Sequence, residues 1–599
     1  MAPLLRVAVA FALGIALADT LQPLPHAPAA NAYLGVAAGC ALAALLIERL
    51  PSHPSLLFHP SHPSHLSRNF HPSHLSHNFR NSRNSRIFRN SRNFRNSQNI
   101  RNSVLRLPLL TSLLLLSTVA ALGAWRCQRV HDRVTVAWPE GPHDAVAVVR
   151  SAPVPRARST RYLLDIDGHR VYAYASHPSA AYSWGDTLTL RGVVVTPPRN
   201  YAVTPHFDYA RHLYTHRISG TVMLPAGTVA AVTPAASTSG LHRWREAAVR
   251  RLRHLYAAAG LPDDVAAIAT ALSLGDRRPL DDTLRDAYAE AGASHLLALS
   301  GMHVGVLYAL LSAMLGLLLT GLWGRRLRGI LAAAVLWAFA FLTGFSPSLV
   351  RAVTMFTLYA LVTAAAGDRT PLNTLALTAL LMLGAQPLIL FDVGAQLSFA
   401  AMLAILLLVP PCHRRLATAF YRHPLLVRLA DMAAIAVAAQ VGTAPLQLYH
   451  FGRLPTWFLV TNLTAVPLMQ VVMVLLVAWL LLTLLLSLLP VGTSGTAWTA
   501  PLAAALAAAL GAVADAVAHA LTAAVRLMNS LLTTIARWPA STIRIAPFDA
   551  IDAALMTLLS FFLYRYLLKK HTPSALWALG CVAFWLLRRL SNVVFASVA

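Results

Sequence analysis

Residues 463–489 read LTAVPLMQVVMVLLVAWLLLTLLLSLL, without one charged side chain. A helix needs about 20 apolar residues to cross the ~30 Å hydrocarbon layer of a bilayer, so this run is long enough to span. Its apolar residues do not alternate with polar ones, which argues against a barrel strand. Lipid admits only helices and closed barrels, because no water is there to satisfy backbone groups. Residues 330–345, 373–390 and 397–409 repeat the pattern on either side. The whole chain of 599 residues is 56% hydrophobic and 12% charged, against about 25% charged residues in a soluble domain. The expected fold class is an α-helical polytopic membrane protein. Its spans are expected near 295–320, 330–345, 347–366, 372–390, 393–410, 431–449, 456–488, 499–524, 551–568 and 575–590, with 456–488 either one broken helix or two.

Toward the N-terminus the character changes twice. Residues 4–18 and 33–47 are apolar and predict two uncleaved helices within 1–50. Residues 51–103 are low in complexity, with Ser-His-Pro and Phe-Arg-Asn-Ser units, eight arginines, seven histidines and no acid. Such a composition buries no core, so the segment is expected to be a disordered cytoplasmic loop. His59, His62, His65, His71, His74 and His77 follow the drifting repeat rather than a ligand spacing, and no metal is expected there. A third helix is expected within 104–127. Residues 134–232 then lack any span and alternate. Asp167-Gly168 between 162–166 and 169–175 is a two-residue hairpin signal, and 186–195 and 217–224 are further strands. A small β domain is thus expected at 128–235, inserted into the helical protein.

The formal net charge is +26. Positive residues favour cytoplasmic loops, and Arg325, Arg326, Arg328, then Arg414, Arg415, Arg422 and Arg428, alternate with the spans so as to put the β domain outside. Lys569 and Lys570 with Arg565 mark a further inside loop. Nucleic-acid binding is another source of a basic excess, which composition alone does not select. The four cysteines have no pair spacing, so neither zinc nor a disulfide framework is expected.

Several chemistries are excluded. There is no Gly-Lys pair and so no Walker A loop for ATP; no His-Glu-x-x-His cluster occurs either. No cofactor, metal or catalytic residue is expected. Polar residues instead interrupt the spans. Ser294–Val304 holds His295, Ser300, Gly301 and His303; Ser300 and His303 are three apart, hence neighbours on a helix. They suit either a nucleophile with its base or a local capping and packing role. Gly344 and Pro347 break the next pair of spans, with Ser348 and Arg351 following. An arginine in a span costs about 2.5–3.5 kcal/mol unless it meets a partner or a cavity. It either pairs with Asp392 or lines an anion path. Asp392, Gln396 and Ser398 enter another span, Asp392 as ion-pair partner or N-cap. Gln440 to Gly452 is a fourth polar segment, and Asn462 with Pro467 a further kink. Broken helices with polar faces are how permeation paths are built.

These segments, in this order and spacing, resemble the ComEC competence family: Ala271-Leu272-Ser273-Leu274-Gly275-Asp276, Ser294–Val304, Gly344 to Ala352, Gln396-Leu397-Ser398-Phe399, Pro445 and 462–467. Gly185-Asp186, Gly192 and Phe207-Asp208-Tyr209 with Leu213 look like the family's N-terminal β region, thought to be OB-like. The resemblance implies a competence-type channel core at 245–490, followed by C-terminal helices at 491–599. It implies an inner-membrane channel passing single-stranded DNA into the cytoplasm, with separate receptor, motor ATPase and nuclease, since the family's C-terminal metallo-β-lactamase-like domain has no counterpart here. Substrate-path candidates are His295, Ser300, Gly301, His303, Gly344, Ser348, Arg351, Asp392, Gln396 and Ser398. DNA-binding candidates in the β domain are Tyr162, Arg170, Tyr172, Trp184 and Arg191. Membrane lipid is the other expected partner. The rival readings are an intramembrane enzyme using Ser300 and His303, and a small-anion transporter using Arg351.

Overall fold

The computed structural model describes residues 3–21, 90–151, 153–156, 159–176, 182–200, 208–234, 240–364, 370–420, 422–488, 499–545, 548–569 and 572–598. The expected helix at 33–47 and the repeat at 51–89 lie outside them. The chain forms two units, residues 6–129 and residues 1–5 with 130–599.

The first unit is built on α1 (Pro3–Leu21) and α2 (Asn90–Val134). Their backbones touch at two glycines. A Cβ on Gly14 would lie 1.7 Å from the Ala120 carbonyl oxygen, and one on Gly123 would lie 2.2 Å from that of Phe11. Without a hydrophobic drive between helices in lipid, such small-residue contacts supply the packing. One expectation is corrected here. Residues 90–103 are not loop but the opening turns of α2; a helix already running through the apolar stretch extends at one hydrogen bond per added residue.

The second unit opens with a small curled sheet. Its strands are β1 (His143–Val149), β2 (Val154–Pro155), β3 (Thr160–Ile166), β4 (His169–Ala175), β5 (Thr187–Val193), β6 (Val195–Thr196), β7 (Gly220–Leu224) and β8 (Val229–Thr233). The order is β6-β7-β4-β3-β1-β5-β8, with β2 on β3. Asp167 and Gly168 have φ of 51° and 80°, so the β3–β4 hairpin turns as expected, with Ile166 opposite His169. Between β6 and β7 lies α3 (Tyr209–Thr215), N-capped by Asp208, whose Oδ1 accepts the Arg211 amide at 2.7 Å. The crossover returns β7 parallel to β4. Register shifts in the β1–β5 and β5–β8 pairs bend the sheet, as bulges do. Alternate residues form its core: Leu164, Ile166, Val171, Ala173, Leu188 and Leu190 are fully buried.

Helices make up the rest: α4 (Gly240–Ala258), α5 (Asp263–Leu274), α6 (Asp282–Glu290), α7 (Ser294–Leu297), α8 (Gly301–Leu318), α9 (Gly321–Thr343), α10 (Pro347–Ala364), α11 (Pro371–Ala385), α12 (Val393–Ala419), α13 (Pro424–Phe451), α14 (Phe458–Leu488), α15 (Thr499–Ala536), α16 (Ala550–Lys569) and α17 (Thr572–Val598). A two-stranded ribbon joins β9 (Arg453–Pro455) to β10 (Thr542–Arg544). Among the described residues seven helices are long and apolar enough to cross a membrane: α1, α8, α9, α12, α13, α14 and α15. The chain is a multi-pass membrane protein. α10 and α11 are shorter apolar helices, and α14 is one helix with Pro467 inside it. α5, α6, α14 and α15 share a core around Tyr256, Tyr288 and Trp479. Tyr288 donates to Asn529 Oδ1 at 2.8 Å and Tyr256 to Ser273 Oγ at 2.8 Å, which satisfies the polar end of each buried ring.

Candidate functional site

Two helix breaks meet inside the helical part. The first is the extended backbone of Ala298 and Ser300 between α7 and α8. The second is Gly344-Phe345 between α9 and α10, with φ of 88° and 56°. Gly344 closes α9, its amide donating to carbonyls of the last turn, and Pro347 suits the first turn of α10 because it has no amide to leave unpaired. The breaks are tied together: Ser348 Oγ donates to the Leu299 carbonyl at 2.8 Å.

Arg351 sits where they meet, 4% exposed. Its Nε donates to Ser398 Oγ at 2.8 Å, Nη1 lies 3.5 Å from Met355 Sδ, and its Cζ stands 5.8 Å from the Phe399 ring centre. Gly301 is the close neighbour; a Cβ there would approach Nη2 to 3.2 Å. The expected alternative of an ion pair with Asp392 is corrected. Asp392 caps α12, its Oδ1 accepting the Ala395 amide at 2.8 Å. Among the described residues Arg351 has hydrogen-bonding and π partners but no carboxylate.

Two other polar segments meet between α12 and α13. Gln396 donates from Nε2 to the Leu390 carbonyl and accepts from His450 Nε2, both at 2.9 Å. On α13, Gln447 Nε2 donates to Thr443 Oγ1 at 2.9 Å. Gly301, Ser348, Arg351 and Ser398 therefore belong to one polar seam along α8, α10 and α12; Gln396, two residues from Ser398, leaves α12 on another side and pairs with His450 of α13.

The Ser300–His303 pair is a helix cap. Ser300 is the N-cap of α8, not a residue inside a helical face. His303 Nδ1 accepts the Ser300 amide at 3.0 Å and lies 3.0 Å from its Oγ. With Nδ1 accepting, the ring proton is on Nε2, which is buried and has no hydrogen-bond partner among the described residues. No carboxylate orients the ring as a base would need. His295 makes no hydrogen bond to Arg351 or its partners among the described residues; its Nδ1 lies 3.2 Å from the Gly292 carbonyl.

The sheet touches the seam through α3. The Arg211 guanidinium lies 4.5 Å from the Phe391 ring centre, and Arg217 Nη2 donates to the Ala385 carbonyl at 3.4 Å. Both contacts bracket the 3₁₀ turn Pro387–Phe391, which leads directly into Asp392 and α12. His212 lies behind, its ring 4.4 Å from that of His216. Burial pushes the His212 pKa down, His216 adds to this, and Asp392 opposes it. Sequence reasoning did not single out Arg211, His212 or Arg217; the signal available was the Asp208 cap, three residues before Arg211.

On the sheet itself the expected DNA face is partly redrawn. Tyr162 is 1% exposed, on the inner face with Leu164 and Ile166. A ring with no accessible face cannot stack a base, so this expectation is corrected. Arg170 and Tyr172 stand on the outer face of β4, where the Arg161 guanidinium lies 4.5 Å from the Tyr172 ring centre. Tyr174 joins them and shares a 3.0 Å hydrogen bond with Tyr209 of α3; burial and that bond hold the Tyr209 hydroxyl above its ordinary pKa. Trp184 lies in the turn before β5 and Arg191 on β5, separated from β4 by β1 and β3 in the sheet order. Beside Tyr174 a pocket of about 400 Å³ opens, lined by Val194, Thr196, Thr221, Met223 and Thr228 among others. No group of three or more His, Cys, Asp or Glu side chains among the described residues could hold a metal.

A family model described as "Competence protein" matches residues 272–570. The chain belongs to that family. The matched residues contain the polar seam around Arg351 and the Gln396–His450 pair, whereas the sheet lies before them. ComE operon protein 3 of Bacillus subtilis (strain 168) is 29% identical over 287 residues, which are 47% of this chain and 34% of that relative. The match thus spans about a third of the relative's length. No solved structure matches the chain. The buried cation and both helix breaks thus fall in the matched segment.

Proposed function

We propose that this chain is a conduit for single-stranded DNA across the bacterial inner membrane during competence. The observation that carries the reading is Arg351, a guanidinium buried at the meeting of two helix breaks, without a carboxylate partner among the described residues. A cation in that state is costly in a span and is the group a passing polyanion would compensate. The sheet supports the same reading. Its meander, with β7 returning parallel to β4, fits a partly open barrel of the OB-like kind, and the Arg161–Tyr172–Tyr174 face combines charge with rings, as single-strand sites do. The strand would bind there on the periplasmic side, pass α3 at the turn Pro387–Phe391, and enter the seam at Ser398 and Arg351, with Gln396 and His450 on the neighbouring side of α12. His295 stands off this line; Ser300 and His303 fix the break that frames it, and Gly344 and Asp392 fix two more helix ends.

In this reading the chain is not an enzyme. Receptor, motor ATPase and nuclease are separate proteins, since a conduit of this kind supplies neither energy nor cleavage. The test is uptake of fluorescent DNA in a strain lacking the gene. Label should accumulate outside the inner membrane and fail to enter the cytoplasm; cytoplasmic entry at the normal rate overturns the proposal. A strain whose protein lacks residues 134–232 should fail likewise, and normal DNA entry there would remove the sheet from the path.

A further inference from the structure

α4 connects the sheet to the helical part, and the proposed path uses none of its outer face. Its sequence, GLHRWREAAVRRLRHLYAA, carries one acid among many bases. At about 100° per residue, Arg245, Leu252 and Tyr256 point one way, toward the protein. Tyr256 is buried and donates to Ser273 Oγ. Arg245 Nε donates to the carbonyls of Phe341 and Leu342 at 3.1 and 3.2 Å. Trp244, Ala248 and Leu255 form the adjoining flank, with Trp244 57% exposed. Arg250, Arg251 and His254 occupy the outer arc, all exposed. The one acid, Glu246, is 3.7 Å from Arg250, whose side chain is still 65% exposed.

The Arg245 bonds set the depth of this helix. Phe341 and Leu342 are in the last turn of the candidate span 326–343, so α4 lies level with the end of a membrane span. That is where headgroups stand and where tryptophan partitions. A basic amphipathic helix at that level has the charge and shape of an interfacial lipid-binding element. We propose that α4 lies in the membrane surface and binds anionic phospholipid headgroups through Arg250 and Arg251, with Trp244 seated at the interface. The helix then anchors the sheet-side end of the protein to the bilayer, independently of what the seam conducts. Its depth favours lipid over nucleic acid, because a strand laid there would have to displace the headgroups beside it.

The experiment uses the full chain in detergent, with bound lipid counted by native mass spectrometry after adding phosphatidylglycerol or phosphatidylcholine. Wild type should retain phosphatidylglycerol preferentially, and inorganic phosphate should not compete it away. Each surface arginine contributes about a fivefold factor, so the R250Q/R251Q variant should lose roughly 25-fold in phosphatidylglycerol affinity. R250K/R251K should keep it, and W244A should weaken both lipids. A 20-nucleotide oligothymidylate should bind wild type and R250Q/R251Q alike. Equal retention of the two lipids by wild type overturns the proposal, as does loss of oligonucleotide binding in R250Q/R251Q with lipid retention unchanged. Should R250Q/R251Q fold poorly, hydrogen exchange on wild type in nanodiscs decides: residues 244–258 should gain protection with phosphatidylglycerol, and protection indifferent to the lipid refutes it.

Discussion

Replacing Arg351 with methionine should separate stability from function, with opposite signs. Methionine retains much of the length and apolar stem and loses the charge. A guanidinium held in a span costs about 2.5–3.5 kcal/mol. Its bond to Ser398 Oγ, at 2.8 Å, returns about 1.5–3 kcal/mol as a hydrogen bond to a charged group. The difference predicts that Arg351→Met is between neutral and about 2 kcal/mol more stable, as found when buried charges give way to apolar residues of similar volume. Ser398→Ala alone should destabilise by about 1.5–3 kcal/mol, because it leaves a buried charge unpaired. Adding Arg351→Met to it should recover that loss. The assays are thermal unfolding of the purified chain in detergent for the two single variants and the double, and cytoplasmic entry of labelled DNA for each. Uptake should fall at least tenfold in Arg351→Met, the loss of one electrostatic contact of about 1.4 kcal/mol or more. A methionine variant that unfolds markedly earlier than wild type would show Arg351 to be a structural tie. One that imports DNA normally would remove it from the path.

Three further outcomes follow from the geometry. Gly123→Leu should force α1 from α2, since even a Cβ would lie 2.2 Å from the Phe11 carbonyl oxygen; overpacking of this kind costs about 1–3 kcal/mol, read as a lower unfolding midpoint. Tyr172→Ala should leave the fold intact and weaken binding of a single-stranded oligonucleotide by about 1–3 kcal/mol, whereas Tyr162→Ala should destabilise the sheet by about 3–5 kcal/mol; the reverse assignment would return Tyr162 to the binding face. The docking of α3 should loosen in acid. The His212 pKa is depressed in the folded protein, so the undocked state binds the proton more tightly, and docking is fully stable above the unfolded value of about 6.5. Stability is lost as pH falls from there through the folded value, so the amide protection of 209–215, corrected for the intrinsic exchange rate, should be lower at about pH 5 than at about pH 7.5, and His212→Gln should flatten the change.

The helices were legible because their signal is local. Length and apolarity locate each run, and Gly344-Phe345-Ser346-Pro347 announces its own break, a left-handed glycine followed by a residue without an amide. The Asp167-Gly168 hairpin was legible for the same reason. Pairing across the sequence was not. The β4–β7 register joins Val171 to Gly220, and no local pattern specifies a parallel return. Arg351 finds Ser398 rather than Asp392 because Asp392 is already held by the helix it starts. Tyr162 was a missed reading rather than a hidden one. It shares parity with Leu164 and Ile166, and in the β3–β4 register it faces Ala173, so period-two counting alone places it inside. The start of α2 was hidden, because Asn, Ser and Arg carry no apolar period.

The cap at Ser300 and the turn at Gly344 explain how an arginine comes to be tolerated at Arg351. Each break frees backbone groups, and those that are buried must find partners within the protein. The Leu299 carbonyl is taken by Ser348 and the Ser300 amide by His303, so the breaks are stabilised by each other and by local caps without drawing on Arg351. Among the described residues its guanidinium meets one hydroxyl, one thioether and a ring, which is fewer partners than its five N–H donors can serve. In the proposed reading, a passing polyanion would supply the partners that this cation lacks among the described residues. The same reasoning explains why α3 meets the turn at Pro387–Phe391: Arg211 and Arg217 place two more cations at the entrance to the helix that carries Ser398, so positive charge continues from the sheet face to the interior of the membrane part.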